Sequence, residues 1–177
     1  MGGCTSGSID GKAFPEVSAE SFGEYGVSNA GRSSRESRHF GREAAIQLLY
    51  QREVGELAGS SVDEAESSYW IERPVAENRK RFAHILLQGT LDTLDRIDPL
   101  IEGAADNWRI SRMAVIDRIV LRVAVYELLL EEVPVAVVID EAVELAKTFG
   151  DDQSPRFVNG VLDAIKRKLE LTKLELA

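Results

Sequence analysis

Apolar residues recur every three or four positions along most of the chain after residue 36, and this spacing limits the fold more than any other feature. In a helix such spacing puts the apolar side chains on one face, whereas a strand would alternate them. The longest case is 111–131, where Ile116, Val120 and Val123 share a face. The same spacing predicts helices at 36–54, 62–72, 75–101, 111–131, 135–149 and 155–172. We therefore expect an all-α fold.

Residues 1–34 differ from the rest of the chain in composition. Most of this segment is rich in glycine and serine and lacks sustained periodicity, and Phe14, Phe22 and Tyr25 stand isolated in it. Such a segment cannot bury enough apolar surface to order itself. We therefore expect a disordered leader at 1–34 and one helical domain at 35–177, which is long enough to form its own core.

Three residues in the helical part carry local expectations. Pro99 lacks a backbone N–H, so we expect it to kink or divide the second part of the pattern at 75–101, from Leu91 to Ile101. Gly160 lies inside a helical pattern, where we expect it to permit close helix packing. Tyr50 is expected to belong to the core, with its hydroxyl at the edge.

The joint between the last two predicted helices carries a stop signal and a start signal. Gly150 follows the last apolar position, Phe149, where a left-handed residue commonly ends a helix. Ser154-Pro155 then supplies an N-cap hydroxyl and a proline suited to the first helical position. The joint is expected to bring four side chains together at the surface: Phe149, Gln153, Arg156 and Phe157. Two aromatic rings beside a cation and an amide suit the stacking of unpaired bases.

Charge is distributed unevenly along the chain. The net charge is −9, yet residues 32–52 contain five arginines and only two acidic residues. A short basic segment on an acidic body predicts a localised phosphate contact, while the acidic body disfavours indiscriminate nucleic-acid binding. Arginines that simply flank a helix start would produce the same pattern, and charge alone does not separate these two interpretations.

The sequence offers little support for catalysis. Its two histidines, His39 and His84, fall in different predicted helices, and we expect His84 to be a packing or surface residue. Cys4 lies in the predicted leader, where no base would be held beside it. Cys-x-x-Cys pairs and glycine-rich phosphate loops do not occur. We therefore expect neither an enzyme nor a bound metal or cofactor.

Two pairs of adjacent acidic residues are expected to have ordinary roles. Asp140 and Glu141 are helical neighbours and so do not converge on one point. Asp151-Asp152 precede a helix start, where the helix dipole favours negative charge, and we expect both pairs to be solvated or capping groups. A single cysteine fits a reducing compartment. No apolar run approaches the roughly 20 residues that span a bilayer, so we expect a cytoplasmic protein without membrane contact.

Several blocks of residues, in matching order and spacing, make the chain resemble the NusB family of bacterial transcription antitermination factors over about residues 38–168. The first block is Arg38-x-x-Gly41-Arg42-Glu43-x-Ala45-x-Gln47-x-Leu49-Tyr50, and Trp108 follows it. The later blocks are Ile116-Asp117-Arg118-x-Val120-Leu121-Arg122, Val133-Pro134, Ile139-Asp140-Glu141-Ala142-Val143-Glu144-Leu145-Ala146 and Phe157-Val158-Asn159-Gly160-Val161-Leu162-Asp163.

That resemblance implies a compact fold of about seven helices in two packed sub-bundles. It also implies a function, because NusB-like proteins pair with NusE, a small-subunit ribosomal protein, and the pair binds single-stranded boxA RNA. The complex helps to load an antitermination assembly, which includes other Nus factors, onto RNA polymerase. This happens chiefly during transcription of ribosomal RNA operons.

By the same resemblance, the RNA contacts fall in two patches. The first patch lies at the start of the first helix and contains Arg35, Arg38, His39 and Arg42; the second is the joint with Phe149, Gln153, Arg156 and Phe157. Arg38 and Arg42 are four residues apart, so we expect both to project from one face. Family members often carry two or three consecutive basic residues where this chain has Arg38-His39-Phe40. We therefore expect weak RNA binding by the protein alone and stronger dependence on the partner.

The resemblance places the NusE-facing surface around Asp117 and Arg118, at the start of the long helix. A solvated stripe beside the apolar face is the alternative interpretation of these two residues. The alternative function is a helical protein–protein adaptor that has no RNA binding of its own. Self-association as a homodimer is left open.

Overall fold

The described part of the chain folds into seven α-helices, which confirms the all-α prediction. The computed structural model describes residues 30–55, 59–105 and 108–175, with side chains from residue 35 to residue 171 within those ranges. The helices are α1 (Ala30–Glu53), α2 (Val62–Ile71), α3 (Glu77–Asp92), α4 (Leu94–Ala104), α5 (Val115–Leu130), α6 (Val135–Phe149) and α7 (Ser154–Glu175), with a 3₁₀ turn at Ile110–Arg112. Within these ranges no helix is long and apolar enough to cross a membrane.

Helix α1 begins at Ala30, inside the segment that we expected to be disordered. Residues 30–34 carry no apolar periodicity, so the pattern that located the rest of α1 could not find them. Once a helix has nucleated, each further residue adds a hydrogen bond at small entropic cost, which allows this polar extension. The remainder of the expected leader, residues 1–29, lies outside the described residues.

Helix α2 is short, and its start is well defined by a capping box. The Ser61 hydroxyl accepts a hydrogen bond from the Glu64 N–H at 3.2 Å. The Glu64 carboxylate accepts one from the Ser61 N–H at 2.9 Å. These bonds satisfy two backbone donors that would otherwise lack a partner in the first turn. Asp63 and Glu66 therefore have fixed positions on this helix.

The chain between α3 and α4 breaks at Thr93, and not at Pro99 as expected. Thr93 leaves the helical region with φ −121° and ψ 15°. Its hydroxyl donates a hydrogen bond of 2.6 Å to the Gly89 carbonyl, which caps the end of α3. Pro99 lies inside α4 and is exposed. The position of the break was therefore set by a buried threonine, a residue type that is not a strong breaker signal in a sequence.

Helix α5 is the centre of the fold. Eleven of its 16 residues are buried, and it contacts α1, α3, α4, α6 and α7. On one side lie α1 and α3, which pack against each other, and on the other lie α6 and α7, so α5 joins two sub-bundles. Complete burial of a side chain such as Leu121 contributes about 1.5–3 kcal/mol to folding.

Close packing between α3 and α5 depends on Gly89. A Cβ atom at this position would overlap the ring and hydroxyl of Tyr126, which is only 1% exposed. Burial raises the pKa of the Tyr126 hydroxyl to about 12. The expectation for Gly160 is wrong, because it is exposed and a Cβ atom there would meet no described atom within 4 Å.

Candidate nucleic-acid interface

Three of the predicted cationic residues of α1 converge on one carboxylate of α6. Arg35 Nε lies 3.2 Å from Glu141 Oε1. His39 Nδ1 lies 2.8 Å and Arg42 Nη1 lies 3.4 Å from Glu141 Oε2. Their spacing of four and three residues puts them on one face of α1. Glu141 is only 2% exposed, so our expectation that it is a solvated or capping group is wrong.

Arg42 lies inside the protein and is paired there. Its Nε and Nη2 atoms each donate a hydrogen bond of 2.8 Å to the Glu127 carboxylate of α5. Arg42 is 2% exposed and Glu127 is 3% exposed. A buried charge of this kind is tolerated because it is paired and hydrogen-bonded. Arg38 and Arg42 do share a face of α1, since both guanidinium groups lie over the Phe82 ring, but the guanidinium of Arg42 is buried and joins α1 to α5.

Of the predicted RNA-contact residues on α1, three keep some exposure: Arg35, Arg38 and His39. The Arg35 side chain is 70% exposed, although its Nε contacts Glu141. Arg38 is half-buried and its guanidinium carbon lies 5.9 Å from the centre of the Phe82 ring. His39 is also half-buried, and its Nε2 lies 3.6 Å from Glu43. All three side chains are more exposed than that of Arg42, and we refer to them as the exposed edge of α1.

Phe40 belongs to a row of aromatic and cationic side chains beside this edge. The guanidinium of Arg79 lies over the Phe40 ring at 5.4 Å. The centres of the Phe40 and Trp70 rings are 6.2 Å apart. Such cation–π and ring contacts contribute about 0.5–1 kcal/mol each at partly exposed sites. Phe40 is therefore occupied in contacts between α1, α2 and α3.

The joint between α6 and α7 has a different cap from the one expected. Asp151 Oδ1 accepts hydrogen bonds from the Gln153 and Ser154 N–H groups, at 2.8 and 3.1 Å. The Ser154 hydroxyl instead accepts from the Asp151 N–H at 3.0 Å. Gly150 is extended, with φ −95° and ψ −169°, and not left-handed. A Cβ atom at Gly150 would lie 2.7 Å from the Ala146 carbonyl, so lack of space explains the glycine.

At the start of α7 the predicted residues form an exposed group with one unforeseen member. Gln153 and Arg156 are exposed, and Phe157 is half-buried. The Phe157 ring lies 5.9 Å from the ring of Trp108, which is 50% exposed. The two rings are inclined at 59°. Trp108 and Phe157 therefore present a pair of accessible aromatic surfaces beside a cation and an amide.

Phe149 lies in a groove between α1, the start of α5 and the α6–α7 joint. The groove has a volume of about 800 Å³, and its lining includes Ile46, Tyr50, Ile116, Phe149 and Ser154. Tyr50 is 42% exposed there, so the expectation that it belongs to the core is wrong. The groove combines apolar walls with a few polar groups, as surfaces that receive a protein partner commonly do.

Asp117 lies close to this groove and is 8% exposed, so it is not a solvated stripe residue. Burial raises the pKa of its carboxyl, the neighbouring Ser154 hydroxyl opposes the change, and the charge of Asp151 adds to it. Its Oδ1 atom has no hydrogen-bond partner among the described residues. A buried carboxylate oxygen without a donor is costly, and a bound partner could supply the missing bond.

Arg118 is held by contacts within the protein. Its Nη1 donates to the carbonyls of Ile110 and Met113, at 3.0 and 3.1 Å. Its Nε donates to Glu53 at 2.8 Å, and Nη2 also contacts this carboxylate. Arg118 therefore joins the end of α1 to the 3₁₀ turn that precedes α5.

Three features of this region were not predicted from the sequence: Glu141 as a shared carboxylate, and Trp108 and Tyr50 as exposed aromatics. Trp108 and Tyr50 both occur in the family blocks, but an aromatic at helical spacing is most often a core residue. An isolated tryptophan between two predicted helices was the available signal for Trp108. The available signal for Glu141 was its spacing, three residues after Val138 and four before Leu145, which puts it on the buried face of α6, whereas the neighbouring Asp140 is exposed.

These features define the class of protein to which the chain belongs. The described residues form an all-α domain in which charged pairs join the helices internally, while basic, aromatic and grooved surfaces remain accessible to macromolecules. A sequence model of the NusB family matches residues 40–167. The chain belongs to the NusB family.

Individual relatives agree with this assignment. The transcription antitermination protein NusB of Sorangium cellulosum is 44% identical over 134 residues, which are 75% of this chain and 94% of the relative. The protein of the same name from an Anaeromyxobacter species (strain Fw109-5) is 46% identical over 129 residues, covering 70% of this chain and 85% of that protein.

Solved structures show the same fold. Thermotoga maritima NusB is 35% identical with a TM-score of 0.66, over 73% of this chain and 90% of that one. A crystal structure of the antitermination factors NusB and NusE in complex with double-stranded RNA contains a chain that is 27% identical, also with a TM-score of 0.66. The match covers 75% of this chain and 98% of that chain.

Proposed function

We propose that this protein is a transcription antitermination factor that binds boxA-type single-stranded RNA together with NusE. In this role it helps to load an antitermination complex, with other Nus factors, onto RNA polymerase, chiefly on ribosomal RNA operons. The observation that carries the proposal is the family match, because antitermination proteins are similar to this chain over nearly their whole length. A similar chain crystallised with NusE and RNA supports both partners. The role places the protein in the bacterial cytoplasm.

The RNA face that we propose has a phosphate-contacting part and a base-contacting part. Arg35, Arg38 and His39 form the first part, at the exposed edge of α1. Gln153, Arg156 and Phe157 form the second part, which Trp108 extends. Cations neutralise phosphates, whereas aromatic rings stack on bases and an amide can read a base edge. Arg42 acts as a positioning residue, since its pairing with Glu127 fixes the face of α1 that carries the cations.

The NusE face that we propose is the groove beside Asp117. It offers an exposed tyrosine, Tyr50, and the half-buried ring of Phe149. Asp117 supplies a carboxylate oxygen that lacks a donor among the described residues. We assign Phe149 to this groove, although the sequence pattern grouped it with the RNA contacts. Arg118 acts indirectly by holding the start of α5 in place.

The proposal is tested by fluorescence anisotropy with a labelled boxA-type RNA, measured with and without NusE across a salt series. We expect weak binding by the protein alone and tighter binding with NusE. An Arg35/Arg38→Ala double variant should bind more weakly and with a smaller salt slope, by about 0.7 per lost phosphate contact on a single strand. Arg42 is left unchanged because its replacement would disturb the fold.

The matched control is an Arg81/Arg167→Ala double variant, which removes two exposed arginines that are not part of the proposed face. It should retain the RNA affinity and the salt slope of the original protein. If RNA is not bound under any condition while NusE is still captured, the protein is an adaptor without RNA binding. Equal loss of affinity in both double variants would show that net charge, and not this face, determines binding.

A further inference from the structure

Three potential metal ligands meet between α2 and α3, and none of them belongs to the proposed RNA or NusE faces. Asp63 and Glu66 come from consecutive turns of α2, and His84 comes from α3. One ligand atom from each of these residues lies within 4.8 Å of the other two. They line a cleft of about 750 Å³. A histidine with two carboxylates matches the nitrogen and oxygen ligands that Zn²⁺ and related divalent cations take.

Glu66 provides an independent indication that a cation belongs in this cleft. The residue is only 7% exposed, yet its Oε1 atom has no hydrogen-bond partner among the described residues. Its other oxygen, Oε2, accepts a hydrogen bond of 2.6 Å from His84 Nδ1. A buried carboxylate oxygen without a donor is unfavourable, and a bound cation would satisfy it.

Electrostatics in the cleft also favour an added positive charge. Burial raises the pKa of the Glu66 carboxyl, the contact with His84 opposes this change, and the nearby charge of Asp63 adds to it. Lys80 and Arg81 also line the cleft, but Lys80 is already paired with Glu77 at 2.8 Å. A divalent ion between Asp63 and Glu66 would offset their mutual repulsion more directly than either of these two side chains.

We propose that Asp63, Glu66 and His84 form a binding site for a divalent transition-metal ion such as Zn²⁺, with water completing the coordination. The ion takes the place of the direct hydrogen bond between His84 and Glu66. Ligand atoms around a tetrahedral zinc lie about 3.3 Å apart, so His84 must move away from Glu66 by less than about 1 Å. The His84 side chain is 43% exposed and has room to turn. The bound ion would tie α2 to α3.

Short sequence motifs could not reveal this site. His84 lies 18 residues after Glu66 and on another helix, so no local ligand spacing connects them. For this reason the sequence led us to expect no metal. Only the packing of α2 against α3 brings the three ligands together.

The test is isothermal titration calorimetry, in which Zn²⁺ is added to tag-free, EDTA-treated full-length protein. We expect one ion per chain, and at least about tenfold weaker binding in Asp63→Asn and in His84→Gln. Asp63 is exposed, so its replacement should leave the fold intact. The matched control is Asp95→Asn, which removes an exposed acidic residue from the first turn of α4 and should bind as the original protein does. A Cys4→Ser variant should also bind normally.

A second readout separates this site from other ligands. The chain contains only two histidines, so their ring resonances in NMR spectra can be assigned with one substitution. Addition of Zn²⁺ should shift the ring nitrogens of His84 and leave those of His39 unchanged. Binding that persists in Asp63→Asn and His84→Gln, shifts confined to His39, or the absence of Zn²⁺ binding would each overturn the proposal.

Discussion

Arg42 and Glu127 form a two-bond ion pair, with both hydrogen bonds at 2.8 Å, and both residues are at least 97% buried. The pair joins α1 to the central helix α5, while Glu141 brings α6 to the same guanidinium. The basic segment at residues 32–52 is therefore partly a structural element. Its inner arginine organises the fold, and its outer cations remain at the surface.

Loss of this pair should strongly destabilise the protein. Arg42→Ala leaves the buried carboxylate of Glu127 without its two-bond partner, while Glu141 keeps Arg35 and His39. We therefore expect a decrease of about 3–5 kcal/mol in the free energy of unfolding. This decrease is measured by urea denaturation, with circular dichroism as the signal. As a control, Arg35→Ala should cost less than about 1 kcal/mol, because this arginine is largely exposed. Equal stability of Arg42→Ala and the original protein would contradict a structural role.

Gly89 and Gly160 are both helical glycines, yet their replacement by alanine should change the stability of the protein in opposite directions. Gly89→Ala places a methyl group against Tyr126, so we expect a loss of about 1–3 kcal/mol from overpacking. Gly160→Ala meets no described atom and should stabilise the protein by about 0.5–1 kcal/mol through helix propensity. Thermal unfolding of the two variants measures this contrast. Stabilisation by Gly89→Ala would show that α3 and α5 are less tightly packed than the Gly89–Tyr126 contact requires.

Asp117 should make stability depend on pH in a defined direction. Burial raises the pKa of its carboxyl above the ordinary value of 3.8, so the folded protein holds this proton more tightly than the unfolded chain. The contribution of Asp117 to the free energy of unfolding therefore decreases as pH rises from 3.8 through the raised pKa, and stays low above it. Asp117→Asn should be more stable than the original protein at neutral pH, and the difference should disappear below pH 3.8.

The Asp117 prediction is checked by urea denaturation of both proteins at several pH values. Asp151→Asn provides a comparison, because it removes a neighbouring charge and should itself lower the pKa of Asp117. By the proposed function, Asp117→Asn should also capture NusE less well. A stability difference that grows on acidification would contradict the expected direction of this pH dependence.

Replacement of Trp108 and replacement of Tyr50 should weaken different interactions, one with RNA and the other with NusE. Trp108→Ala removes a stacking ring, and we expect RNA binding in the presence of NusE to weaken by about 1–3 kcal/mol. Tyr50→Ala should reduce NusE capture, while any RNA binding by the protein alone should remain unchanged. Anisotropy measures the first interaction and a pull-down with NusE measures the second. If both variants lose the same interaction, the two surfaces are one.

Much of the fold could be predicted because helical periodicity is a local property. The bounds of α6, Val135–Phe149, agree with the predicted 135–149, since Pro134 and Gly150 flank a regular apolar face. The polar start of α1 and the break at Thr93 were missed for the same reason. The start of α1 has no apolar pattern, whereas the spacing of Leu91, Leu94 and Ile97 continues through Thr93. The hydroxyl of Thr93 ends α3 through a bond that composition does not reveal.

The sequence by itself determined the helical class, the family and the residue types available for binding. Only the tertiary structure decided which of those residues face solvent. Arg35 and Arg42 are seven residues apart on one helix, yet the first is largely exposed and the second is buried. The physical reason is that the position of a charge depends on what packs against it, and Glu127 and Glu141 lie 85 and 99 residues further along the chain from Arg42. The same holds for His84, whose partner Glu66 reaches it only through the packing of two helices.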